Sequence, residues 1–140
     1  MQLHRGRLLD HVQLVVRDLA ASRRFYQAVM ETIGIPPGPA GDDHFSYDEL
    51  WISTPQSPSA HGELTGRVHL AFATRDRAIV DAFHRAALAA GGRDNGAPGE
   101  RKNYHPGYYA AFVLDPDGNN IEVVHHGQAT YSAPSLEITF

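Results

Sequence analysis

The sequence predicts an α+β fold of two βαβββ modules, and three observations carry that prediction. Shifted by 58 residues, the distance from His11 to His69, the chain overlies itself: Arg17-Asp18 falls on Arg75-Asp76, Phe25 on Phe83, Ala28 on Ala86 and Gly34 on Gly92. In each copy a stretch of period-2 alternation is followed at once by helical periodicity. Near the end, Asp115-Pro116-Asp117-Gly118-Asn119 is a hairpin signal, with Pro116 suited to the first central turn position and Gly118 to a positive φ.

From Leu9 to Arg17 the alternation puts Val12, Leu14 and Val16 on one face and His11, Gln13 and Val15 on the other. Asp18 offers an N-cap, Ala21, Phe25, Ala28, Val29 and Ile33 recur at helical spacing, and Gly34 followed by Pro36 and Pro37 stops the helix. His44–Tyr47 and Glu49–Ser53 read as a tight hairpin about Asp48, and the Pro-, Ser- and Gly-rich stretch 54–66 as a connector.

The second copy repeats the plan. Val68, Leu70 and Phe72 oppose His69, Ala71 and Ala73; Asp76 caps a helix whose stripe is Ile79, Phe83, Ala86, Ala87 and Ala90; Gly91-Gly92 ends it. The segment 94–109 reads as a loop too rich in Gly and Pro for regular structure, and Tyr108–Leu114 and Asn120–His125 as the strands of the closing hairpin. The tail 127–140 ends in Leu136–Phe140, an edge strand or a dimer contact. Phe25, Phe83 and Phe112 read as core. The expectation is one domain, 1–140, with modules at about 8–53 and 67–126, paired so that their sheets form one curved mixed sheet around a concave pocket with the helices on its outer face.

Composition narrows the function. A formal net charge of −4 with scattered lysines and arginines gives no footprint for nucleic acid. The chain has no cysteine, so no disulfide framework, and no apolar run long enough for a signal peptide or a membrane span. A soluble cytoplasmic protein is the expectation. Nine histidines direct attention to ligation and proton transfer.

If Ile121 and Val123 pack on the helix side, Glu122 faces the same way as His11 and His69. Two imidazoles and a carboxylate suit a divalent ion such as Zn²⁺, Mn²⁺, Fe²⁺, Ni²⁺ or Co²⁺ and leave positions open for substrate or water. The plainer reading is a pair of hydrogen-bonded surface histidines and a glutamate paired with a nearby arginine. In 94–109, Arg101, Tyr104, His105, Tyr108 and Tyr109 combine cations with aromatic hydroxyls, suited to contact an anionic or oxygen-rich ligand. Trp51 reads as a pocket-floor aromatic or as core. His125-His126 is set aside, because adjacent strand residues face opposite ways.

The paired modules, Leu9-Asp10-His11-Val12, Arg67-Val68-His69-Leu70 and above all Phe112-Val113-Leu114-Asp115-Pro116-Asp117-Gly118-Asn119-Asn120-Ile121-Glu122 resemble the vicinal oxygen chelate superfamily, which includes glyoxalase I, fosfomycin-resistance thiol transferases, extradiol dioxygenases and the metal-free bleomycin-binding proteins. The resemblance spans about 8–126. It implies metal ligands at His11, His69 and Glu122, with Glu49 as a fourth ligand or a base. It implies a lyase, isomerase or transferase that stabilises an enolate or oxyanion on a small molecule with vicinal oxygens, Glu122 or Glu49 taking a proton, and a homodimer. The alternatives on the same scaffold are a metal-free binding protein of bleomycin-resistance type and an extradiol dioxygenase.

Overall fold

A computed structural model describes residues 2–5, 9–129 and 136–139. Along the chain run β1 (Gln2–Arg5), β2 (Val12–Val15), α1 (Leu19–Ile33), β3 (His44–Tyr47), β4 (Leu50–Ser53) and β5 (His69–Ala73). Then come α2 (Arg77–Ala89), β6 (Arg93–Glu100), β7 (Tyr109–Leu114), β8 (Asn120–His125) and β9 (Leu136–Thr139). These elements form two compact units, the first from described residues of 1–19, 35–65 and 131–140, the second from 20–34 and 66–130. Among the described residues no helix is long and apolar enough to cross a membrane.

In the first unit β1 pairs antiparallel with β9, which makes the C-terminal segment a strand, while β2, β4 and β3 form a mixed three-stranded sheet with β2 parallel to β4. Register places Leu14 beside Ile52 and Ile52 beside Phe45, so these buried side chains share the apolar face. Gln13, Trp51 and Ser46 line up on the opposite face. The alternation read from the sequence is kept.

The second unit holds a four-stranded sheet in the order β5-β8-β7-β6, with β5 parallel to β8 and the other pairs antiparallel. Ala111, Val113, Ile121 and Val123 are fully buried on one face, with Val80, Phe83 and Ala87 of α2. Asp76 caps α2, its carboxylate accepting from the Ala78 N–H at 2.8 Å. α1 follows β2 in the chain yet packs in this second unit: a methyl group placed on Gly92 would lie 2.5 Å from Val113 Cγ1, 2.7 Å from Phe25 Cε2 and 2.8 Å from the Ala87 carbonyl. The two helices and β7 therefore meet at a point that only glycine fits.

Three expectations are corrected. Residues 93–100 are a strand rather than loop, because the irregular residues stand where the ladder breaks: register shifts fall between Asp94 and Gly96 and between Gly96 and Gly99, so Pro98, which has no N–H, sits in a bulge of the edge strand. The first copy has only an isolated bridge, Ala40 to Phe45, where the second has β6, since Pro36, Pro37 and Pro39 withhold three donors there. Phe112 is half-buried and pairs with Glu122 in register, on the face opposite the core.

Candidate functional site

In the first unit His11 precedes β2 and, with Asp10, Gln13, Asp48, Trp51 and Ser59, lines a cavity of about 430 Å³. Its Nδ1 lies 2.7 Å from Asp10 Oδ1. A carboxylate accepts there, so Nδ1 is the donor and Nε2 the free ring nitrogen, an arrangement of the kind that orients ligating imidazoles. Gln13 spends both amide N–H groups on Ser53 and Ser59 Oγ at 2.9 and 2.8 Å, fixing the cavity wall. Trp51 stacks on His44 at 4.4 Å and 13°. The His44 imidazole in turn holds the Asp43 carboxyl below the usual carboxylate range by a hydrogen bond. Glu49 stands half-buried in the β3–β4 turn rather than in the strand, next to Asp48, whose φ of 41° makes the turn tight.

In the second unit the parallel pairing of β5 and β8 sets Ala71 beside Glu122 and puts His69 on the same face. His69 Nε2 lies 3.0 Å from Glu122 Oε2, and its Nδ1 lies 3.0 Å from the Asn120 carbonyl oxygen. The carbonyl only accepts, so Nδ1 carries the proton and Nε2 faces the carboxylate. Half of the His69 side chain is exposed while Glu122 is almost wholly buried, 49% against 3%. Tyr108 donates its hydroxyl to Glu122 Oε1 at 2.5 Å, occupying one carboxylate oxygen and leaving the other to His69. Burial, and then the bond to Glu122, push the Tyr108 phenol well above its ordinary range, so it stays a donor.

Around this pair the rings of Phe112 and His69 lie 6.1 Å apart at 25°, and the Arg101 guanidinium covers Phe112 at 5.5 Å. Tyr104, 59% exposed, stands edge-on to Tyr108. His105 contacts Tyr108 and places its Nε2 2.9 Å from His126 Nδ1. Tyr109 is not among these groups: its hydroxyl donates to Asp81 of α2 at 2.7 Å and Arg77 covers its ring, so strand parity turns it to the helix side. The structure thus brings His69 and Glu122 together and gathers Arg101, Tyr104 and His105 near them, with Tyr108 rather than Tyr109 touching the acid. His126 joins them although the sequence reading set it aside, because it lies past the end of β8, where alternation lapses. Within either unit, among the described residues, no group of three or more His, Asp or Glu side chains is arranged to hold a metal ion.

A family profile of the Glyoxalase/Bleomycin resistance protein/Dioxygenase superfamily matches residues 8–123. The chain belongs to that superfamily. Within it, a glyoxalase/bleomycin resistance protein from Albidiferax ferrireducens T118 is similar at 34% identity and a TM-score of 0.73, covering 84% of this chain and 98% of its own. Uncharacterized protein YqjT of Bacillus subtilis (strain 168) is 29% identical over 129 residues, 83% of this chain and 97% of that protein. Lactoylglutathione lyase from Agrobacterium tumefaciens shares the fold, with a TM-score of 0.62, 22% identity and coverage of 86% and 94%.

Proposed function

We propose that this superfamily member is a metal-dependent, glyoxalase-like enzyme acting on a small molecule with neighbouring oxygens, with His69 and Glu122 holding a divalent ion and His11, from the same chain or a second copy, as third ligand. One observation carries the reading. His69 Nε2 and Glu122 Oε2 face each other 3.0 Å apart with Nδ1 turned to the Asn120 carbonyl, so Nε2 and the carboxylate are the atoms offered to a shared cation.

The donor set fits such a group on further grounds. Both histidines hold Nδ1 against an oxygen, Asp10 for His11 and Asn120 for His69, which presents Nε2 as the ligand atom. Tyr108 fixes which oxygen of Glu122 is presented. A bound divalent ion would supply a Lewis acid for the negative charge that develops on vicinal oxygens. The protein's own part is to orient that substrate with Arg101, Tyr104 and His105, to hold Glu122 by Tyr108, and to take up a proton on a carboxylate, Glu122 or Glu49. Zn²⁺, Mn²⁺, Fe²⁺, Ni²⁺ and Co²⁺ all suit two imidazoles and a carboxylate.

The second reading is a metal-free binding protein of bleomycin-resistance type. It is favoured by the same 3.0 Å contact, because a proton bridges His69 and Glu122 as an ion pair without any metal. Elemental analysis of protein purified without added metal, repeated on Glu122→Ala, separates the two. Stoichiometric metal that disappears in the variant supports the enzyme; none in either, with retained fold, supports the binder. The homodimer stays part of the proposal, tested by sedimentation.

A further inference from the structure

Arg101 follows β6 and bends back over that strand. Its Nη2 donates to the Ala97 carbonyl at 2.7 Å, its backbone N–H donates to the Tyr108 carbonyl at 2.7 Å, and its guanidinium lies over Phe112. Two glycines make room for it. A methyl group on Gly99 would lie 2.8 Å from Nη1, and one on Gly96 would lie 3.4 Å from Nη2 and 3.0 Å from the Phe112 ring. Gly96 also has φ of 151°, a conformation side-chain-bearing residues rarely adopt.

The seated charge has no protein counter-ion among the described residues: the ion pairs there join other groups. The adjacent acid, Glu100, instead accepts from the Gly107 N–H at 3.0 Å. A guanidinium has five N–H donors, so most of the Arg101 fork is available to an outside acceptor. Register places the seat on the face of Glu122, because Gly96 pairs with Phe112 and Phe112 with Glu122. Two strand spacings separate β6 from β8, roughly 10 Å between backbones.

We propose that Arg101, seated on Gly96, Gly99 and Phe112, is an oxyanion receptor, and that the small molecule this site takes carries a carboxylate or phosphate a few bonds from its vicinal oxygens. The proposal rests on the reading of His69 and Glu122 for the second half of that statement only. A planar fork anchored over an aromatic ring matches the two oxygens of such an anion, and charge-assisted bonds of that kind discriminate strongly against a neutral isostere.

The test titrates the full chain, with and without one equivalent of Zn²⁺, with 3,4-dihydroxybutanoate, its neutral amide and glycerol 3-phosphate, followed by calorimetry. The acid or the phosphate is expected to bind at least about ten-fold more tightly than the neutral amide, and the tighter of the two identifies the oxyanion. Arg101→Ala and Gly99→Ala are expected to abolish the preference, and Arg101→Lys to keep part of it, with Zn²⁺ uptake unchanged in all three. Equal binding of the amide, no binding of either anion, or a preference that survives Arg101→Ala would overturn the proposal. An acid preference without Zn²⁺ uptake by the wild-type chain keeps the receptor and sinks the metal reading. Arg101→Lys and Gly99→Ala retain the decision should Arg101→Ala fail to fold.

Discussion

Tyr26 in α1 and Asp115 in the closing hairpin, 89 residues apart, share a buried hydrogen bond of 2.6 Å. The same carboxylate accepts from the backbone N–H groups of Asp117 and Asn119 and from Asn119 Nδ2, and Asn119 Oδ1 accepts from the Val68 N–H. One acid therefore shapes the turn while its neighbourhood clamps α1 and β5 to it. Tyr26→Phe is expected to lower stability by about 1–3 kcal/mol, the effect of leaving a buried acceptor short of one donor. Urea unfolding of the two proteins measures it, and an unchanged midpoint would show that the bond is worthless here.

The phenols of Tyr26 and Tyr108 are both held above the ordinary range, Tyr26 first by burial and then by Asp115, Tyr108 first by burial and then by Glu122. A raised value means that the folded chain keeps a proton which the unfolded chain releases. The stabilisation is complete below the unfolded value of about 10 and is lost as pH rises from there through the folded values. Unfolding midpoints measured across that alkaline range should fall, and less steeply in Tyr26→Phe. In an ultraviolet titration of the native protein, Tyr26 and Tyr108 should ionise last.

Gly92 and Gly34 end corresponding helices, yet their substitutions should differ in kind. Alanine at Gly92 collides with Val113, Phe25 and the Ala87 carbonyl, an overpacking expected to cost about 1–3 kcal/mol. At Gly34 nothing lies within 4 Å, and only the backbone φ of 81° opposes alanine, an effect nearer 1 kcal/mol. Thermal melts of both variants rank them, and equal losses would contradict the packing of α1 against β7.

Tyr108→Phe removes the donor that fixes Glu122 Oε1 without touching His69. Divalent-metal affinity is expected to fall about 10–100-fold, the usual scale for a group that orients a ligand. A calorimetric Zn²⁺ titration compares the two proteins, and the Tyr109→Phe control, which alters only the contact with Asp81, should leave the affinity unchanged.

Local periodicity made much of this legible. Alternation in β5 and β8, with Ile121 and Val123 taken to face the helix, puts His69 and Glu122 on one face, and the Asp-Pro-Asp-Gly-Asn stretch forms its turn where composition puts it. What periodicity cannot carry is partner choice. Nothing in the spacing of Phe25 or Tyr26 says that α1 packs on the second sheet, since that depends on Val113 and Asp115 far along the chain. Phe112 alternates like a core residue but faces outward, because parity depends on which residue begins the strand; the same parity separates Tyr108 from Tyr109. The strand β6 was hidden because its bulges absorb the Gly and Pro that mark loops elsewhere. Arg101 was legible only as a cation, while its seat exists in three dimensions.

Nitrogen-15-resolved NMR of the His69 imidazole during addition of Zn²⁺ tests the pairing with Glu122 most directly. One equivalent should shift Nε2 strongly while Nδ1 stays protonated on the Asn120 carbonyl, and the shift should vanish in Glu122→Ala. An Nε2 that remains protonated against Glu122 and is indifferent to Zn²⁺ would contradict the metal site.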